Sequence, residues 1–137
     1  MQTLIDILHE GHHSLVVAYD SKVMTFNGRG VSDLYRLLSQ SPEILDGACV
    51  ADKVVGKGAA ALMILGKVKA VHTDVISTQA LRLFERSAVK VSFGTEVSAI
   101  INRAGDGICP VESLCFGVKT AAGCLPLIAE FVNSIKR

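Results

Sequence analysis

The stretch from Cys49 to Gly66 reads CVADKVVGKGAAALMILG, and its reading decides how the chain is organised. Cys49 to Val55 reads either as a strand or as an extended approach to the next helix. Gly56 and Gly58 flank Lys57 in a turn. Gly58 to Gly66 then reads as a buried helix, because the small residues Ala59 to Ala61 let it pack closely on a sheet. Downstream, Ala70 to Asp74 reads as a short strand, Ser77 as the N-cap of a helix running to about Arg86, and Val89 to Phe93 as another strand. Helix–strand–helix–strand in this succession is the pattern of parallel crossover units.

Working outward, Met1, Leu4, Ile5 and Leu8 stand at helical spacing, which predicts an amphipathic helix over the first nine residues, ended by Gly11. Ser14 to Tyr19 and Lys22 to Asn27 are short strand-like runs on either side of Asp20-Ser21, a hairpin turn. Asn27 to Gly30 reads as a loop and Ser32 as the N-cap of a helix to about Leu38. Ser41-Pro42-Glu43 opens a short turn or helix. Val97 to Ile101 is apolar and a candidate last strand, and Asn102 to Gly107 is a loop. Cys109-Pro110 starts a short helix. Pro126 is expected to start the final helix, which carries Leu127, Ile128, Phe131 and Ile135, with Lys136 and Arg137 suiting its negative end. The result is a hairpin joined to parallel crossovers: an α/β fold with a mixed sheet and helices on both faces. No repeat or linker divides it, so residues 1–137 form one domain.

Half of the 137 residues are hydrophobic, only 5% are aromatic and Trp is absent, so the core must be built from Val, Leu, Ile and Ala. Mean hydropathy is +0.42. Such an apolar surplus fits either a compact monomer with buried central strands or a protomer that hides a face in a homo-oligomer, and we favour the oligomer. Net charge is +1, with both signs interspersed and no basic stripe, so a nucleic-acid partner is not expected. The apolar run Ala59 to Gly66 stops at Lys67, well short of the ~20 residues that span a bilayer. The first residues carry Asp6 and Glu10 in place of a basic leader, so a cytoplasmic location is expected. Cys49, Cys109, Cys115 and Cys124 form no Cys-x-x-Cys pair and are expected as free thiols.

Three places invite chemistry. In Asp52-Lys53-Val54-Val55-Gly56-Lys57-Gly58-Ala59 a strand enters a glycine-flanked turn and then a helix, leaving backbone N–H groups that suit an anion, with Lys57 adding charge. It is no Walker A loop, since Ala51 stands where that loop needs Gly and Gly58 where it needs Ser or Thr. The plainer reading is a tight turn with a solvated lysine. In Gly107-Ile108-Cys109-Pro110-Val111-Glu112, proline at the first helical position puts Cys109 at an N-cap, where the helix favours the thiolate. A buried, inert thiol is the alternative. Third, Asn102-Arg103 has side chains able to grip a planar base or a carboxylate, or simply to tie a loop together. His9, His12 and His13 lie close in sequence with only Glu10 as companion, which reads as a surface cluster rather than a metal site; His72 reads as a satisfied strand histidine. No cofactor motif is present.

Taken together, Asp52 to Lys57 with Ala59-Ala60, then Ser77 and Ala80, then Asn102-Arg103 and Cys109 to Glu112 resemble a small prokaryotic family of unknown function built on the cytidine-deaminase-like fold. The resemblance spans the chain from the hairpin to the Cys-Pro turn. It implies a three-layer α-β-α sandwich in which the helix starts at Lys57–Gly58 and Cys109–Glu112 flank one pocket. It also argues against deaminase chemistry. Zinc deaminases carry His or Cys, then Glu two residues later, at one helix start and Pro-Cys-x-x-Cys at the next. Here the first holds Lys57, Gly58 and Ala59, and the second has Cys and Pro reversed with Glu112 in place of a second thiol. One thiolate cannot hold a catalytic zinc.

The functional expectation is therefore a metal-free, deaminase-fold protein that binds a small anionic or nucleotide-like ligand through Asp52, Lys57, Gly58 and Asn102 or Arg103. The alternatives are an enzyme using Cys109 as nucleophile in acyl or sulfur transfer, with Glu112 or a histidine as acid–base partner, or an oligomeric interaction subunit.

Overall fold

In the computed structural model, residues 1–28, 31–102 and 104–135 are described. The expectations for Arg29 and Gly30, and for Lys136 and Arg137, lie outside them. The chain opens with α1 (Gln2–Glu10) and the hairpin β1 (Leu15–Tyr19) and β2 (Lys22–Phe26). Asp20 and Ser21, both at positive φ, make its turn, the backbone twist that two-residue hairpins favour. Then come α2 (Ser32–Gln40), a 3-10 turn at Pro42–Ile44, β3 (Cys49–Val55), α3 (Lys57–Leu65), β4 (Ala70–Ser77), α4 (Thr78–Glu85), β5 (Lys90–Val97), α5 (Pro110–Cys115) and α6 (Ala121–Ile135).

The sheet has the order β2-β1-β3-β4-β5. β1 is antiparallel to both β2 and β3, whereas β3, β4 and β5 run parallel. This is the mixed α/β sheet expected from the strand-and-crossover pattern. Successive strand residues face opposite sides, and the core divides accordingly. Val16 and Ala51 pack with Leu4 and Leu8 of α1 on one face. Val17 and Val50 join the larger core of α2, α3, α4, α5 and α6 on the other. Among the described helices α1 alone packs on the first face, so the layers are unequal.

Within β3 the alternation slips. Val50 and Val55, five residues apart, belong to the same core, as do Val71 and Ile76 in β4. A strict period of two would send them to opposite faces. The irregularity falls at Asp52–Val54, beside the mouth of the cleft described below.

Several boundaries differ from the sequence reading. Ser32 is the first residue of α2 rather than its cap, with Val31 before it. β4 continues to Ser77, and β5 runs from Lys90 to Val97. The expected strand Val97 to Ile101 is reduced to the end of β5 and a single bridge between Ile101 and Ile108. Pro126 lies inside α6, not at its start. The true start is signalled by Thr120, whose hydroxyl accepts the Gly123 N–H at 3.0 Å, the bonding of an N-cap. Ser77 behaves as expected, its Oγ accepting the Ala80 N–H at the head of α4. No described helix is long and apolar enough to cross a membrane.

Candidate functional site

The starts of α3 and α5 meet at one cleft of about 560 Å³, within the ~300–1,000 Å³ typical of small-molecule sites. Gly58 and Cys109 both line it. The two helices can approach because residue 58 has no side chain: a Cβ there would lie 2.3 Å from Val111 Cγ1. The walls are apolar, with Leu15, Val31, Leu34, Ile100 and Phe131 among them. Polar side chains enter from Asp33, Asp52, Lys53, Asn102, Cys109 and Glu112. Carboxylates thus outnumber the lining cations among the described residues.

Glu112 is 2% exposed, and its carboxylate holds the site together. Oε1 accepts the Lys57 N–H at 2.9 Å and the Ser77 hydroxyl at 3.1 Å. Oε2 accepts the Ile100 N–H at 2.8 Å. A carboxylate at the first N–H of α3 satisfies an orphan donor and complements the positive helix end. The anion position anticipated at this turn is therefore occupied by the chain's own side chain. Three donors from the chain itself take up most of the roughly four lone-pair sites of a carboxylate, and this structural task weighs against the acid–base role considered for Glu112.

Lys57 points elsewhere. The residue is 7% exposed, and its ammonium donates to the Val118 carbonyl in the connection between α5 and α6. It lines a second, smaller pocket and not the cleft, which corrects the expectation that Lys57 and Gly58 face one cavity. Neighbouring positions on a helix lie about 100° apart around its axis, so Gly58 can face the cleft while Lys57 leaves it.

Asp52 projects into the cleft from β3. It is paired in register with Leu15 of β1 and Thr73 of β4. Its Oδ1 accepts the Val54 N–H in a long contact of 3.4 Å, and no salt bridge among the described residues reaches it. Burial pushes its carboxyl up to about 7; backbone N–H groups of Val54 and Lys53 oppose the rise, and the charge of Asp74 adds slightly to it. Near neutral pH the group therefore exists in both protonation states.

Cys109 is half-buried and precedes Pro110 as expected, but its thiol makes no capping bond. No histidine lines the cleft. Cys115 and Cys124 are fully buried; burial first, then the neighbouring Cys124, pushes the Cys115 thiol up to about 12. Asn102 lines the cleft, yet its side chain is spent on its own loop: Nδ2 donates to Asp106 at 2.9 Å while Oδ1 accepts from Gly105 and Asp106 N–H groups. Arg103 lies outside the described residues.

The histidines take separate partners. His9 meets Asp74 at 2.9 Å, His13 meets Asn27 at 2.8 Å, and His72 meets Ser92 at 2.9 Å. Among the described residues no group of three or more His, Cys, Asp or Glu is placed to hold a metal ion. The residues at the paired helix starts do not fit a deaminase zinc either. Glu112 already serves three donors, which leaves Cys109 as the one free ligand there, and zinc needs three.

The contribution of Glu112 escapes local reading because it acts on a residue 55 positions away. Asp33 is a further cleft residue that the sequence reading passes over, although its partners are near in sequence: from α2 it accepts the Gly28 N–H and the Arg36 guanidinium.

The molecule is thus a mixed-sheet α/β protein with an apolar, carboxylate-lined cleft at paired helix starts. The chain belongs to the DUF1893 family, whose model, a domain of unknown function, matches residues 3–132. Among solved structures it is similar to a DUF1893 family protein, TM1506, from Thermotoga maritima, at 22% identity and a TM-score of 0.86. That match covers 94% of this chain and 87% of the other, and it shows a shared fold. No curated protein matches the chain.

Proposed function

We propose that the cleft binds a small organic molecule without a metal, and that the ligand has an apolar body and a hydrogen-bond donor directed at Asp52. The carrying observation is Asp52 itself, a part-exposed carboxyl in an apolar cleft, held by the backbone N–H groups of Val54 and Lys53 and by no cation among the described residues. A carboxyl without a counter-charge, set among apolar walls, favours a partner that supplies a donor. Among the described residues Asp33, Asp52 and Glu112 line the cleft against Lys53, a balance that favours an uncharged or cationic ligand, a class that includes nucleobases and nucleosides. The described lining favours this class over the anionic ligand expected from the glycine turn. Helix starts converging on one cleft, without zinc ligands, are what a deaminase-like fold that has lost its metal would leave.

The test is a thermal-shift and NMR screen of nucleobases, nucleosides and amines against wild type and Asp52→Asn. Saturable shifts at Asp52, Gly58 and Cys109 that weaken in the variant support the reading. Binding unaffected by Asp52→Asn, or shifts placed away from the cleft, would overturn it.

A second reading, an oligomeric subunit, is favoured by β5. This eight-residue edge strand is mostly exposed, and Phe93 is 38% exposed. Antiparallel pairing with a second copy about Phe93 aligns Lys90 with Glu96 on the same face, a self-complementary arrangement that cross-strand charge pairs reward. Sedimentation of the wild type as a dimer, and of Phe93→Glu as a monomer, is the expected result. A monomeric wild type sinks this reading.

A further inference from the structure

A second pocket, of about 270 Å³, opens beside α4 and the segment joining α5 to α6. Lys57, Arg82, Arg86 and Lys119 line it together with Gln79 and Phe116, and among the described residues no carboxylate does. Arg82, in the last turn of α4, and Arg86, its C-cap residue, both reach this pocket, where Arg86 Nη1 also donates to the Lys119 carbonyl at 3.4 Å. Phe116 is 73% exposed at the rim, a large aromatic surface left in water.

Lys57 supplies the independent observation. Its ammonium is carried on a residue more than nine-tenths buried, and its hydrogen-bond acceptor is one neutral carbonyl, that of Val118. No carboxylate lies within salt-bridge distance of it among the described residues. An ammonium offers three donors, and a buried cation without a counter-charge is costly. Three more cations line the same pocket; they are exposed, so their repulsion is screened and adds only modestly to that cost. An anion entering the pocket relieves both.

We infer that this pocket is a binding site for a small phosphorylated molecule, its phosphate held by Lys57, Arg82, Arg86 and Lys119 and its planar part laid on Phe116. Two arginines can grip phosphate oxygens in fork geometry while the lysines act as point charges. The site is separate from the cleft, though both are built on the first turn of α3: Gly56 and Gly58 face one, Lys57 the other. It does not depend on the proposal for Asp52.

The experiment is an NMR titration of the full chain with inorganic phosphate and, separately, with adenosine monophosphate. Saturable shifts are expected at Gln79, Arg82, Arg86 and Phe116 to Lys119. The double variant Arg82→Ala/Arg86→Ala should weaken both probes by roughly tenfold or more. Phe116→Ala should weaken the nucleotide more than phosphate, because only the nucleotide has a base to stack. Lys57→Met tests the buried cation, and its melting curve shows whether it folds; the arginine pair is decided without it. Lys22→Ala, in the distant hairpin, is the control. No saturable shift at millimolar probe, shifts confined to the cleft, or equal weakening by Lys22→Ala would each overturn the assignment.

Discussion

Glu112 of α5 caps α3 across 55 residues of sequence, its Oε1 accepting the Lys57 N–H at 2.9 Å. The same carboxylate binds Ser77, at the head of α4, and Ile100. Three segments that diverge along the chain are thus pinned to one buried charge.

Replacing that charge tests the pin. Glu112→Gln offers one acceptor oxygen where two served three donors, and leaves an N–H or hydroxyl unsatisfied in the interior. Stability should fall by about 1–3 kcal/mol, and more for Glu112→Ala. Urea unfolding at constant m-value measures it. A loss within error of zero contradicts the role assigned to the carboxylate.

The close approach of α3 and α5 depends on Gly58. Alanine there puts a methyl 2.3 Å from Val111 Cγ1, and valine in a helix has little rotamer freedom to move aside. Gly58→Ala should destabilise by about 1–3 kcal/mol despite alanine's better helix propensity. In the Val111→Ala background the cost should shrink or reverse. Additive effects in this double-mutant cycle would separate the two positions.

Asp52 should leave a signature in the pH dependence of stability. Its folded value of about 7 stands above the 3.8 reference, so between those values the native state holds a proton that the unfolded chain has released. Stability then declines as pH rises through that window and levels off above it. Asp52→Asn removes the decline: variant and wild type should match at pH below about 4 and diverge toward 7. Above that the variant should lead by on the order of 1 kcal/mol, a figure that discounts the full shift for the partial exposure of the side chain. Parallel stability curves for the two proteins would contradict the burial assigned to Asp52.

The cysteines should sort by exposure. Cys49 and Cys109 are half-buried, whereas Cys115 and Cys124 are buried. Burial that pushes Cys115 up to about 12 also leaves almost no thiolate there. Iodoacetamide should label Cys49 and Cys109 in the native protein, and the other two only after denaturation, as read by peptide mass spectrometry. Native labelling of Cys115 at comparable rate would contradict the packing between α5 and α6.

Much of this architecture is legible in the chain itself, because its signals are local. The hairpin turn at Asp20-Ser21, the cap at Ser77, the glycine-bounded helix after Val55 and the parallel crossovers rest on interactions that reach no further than one helical turn or one strand pair. Cys109 before Pro110 belongs to the same kind of signal. Pro126 misled because proline is normally confined to the first turn of a helix, whereas here Thr120 has already started α6 and the packing of Cys124, Ile128 and Val132 carries the proline in its interior.

What only the tertiary structure decided is where side chains go once elements pack. Lys57 turned from the cleft to Val118, and Glu112 became a cap instead of a free acid. Asp52 entered an apolar wall, and Asn102 was consumed by its own loop. Each outcome depends on partners brought together by folding. Propensity and periodicity specify which elements form, but the partners of a buried charge are set by which elements then come into contact.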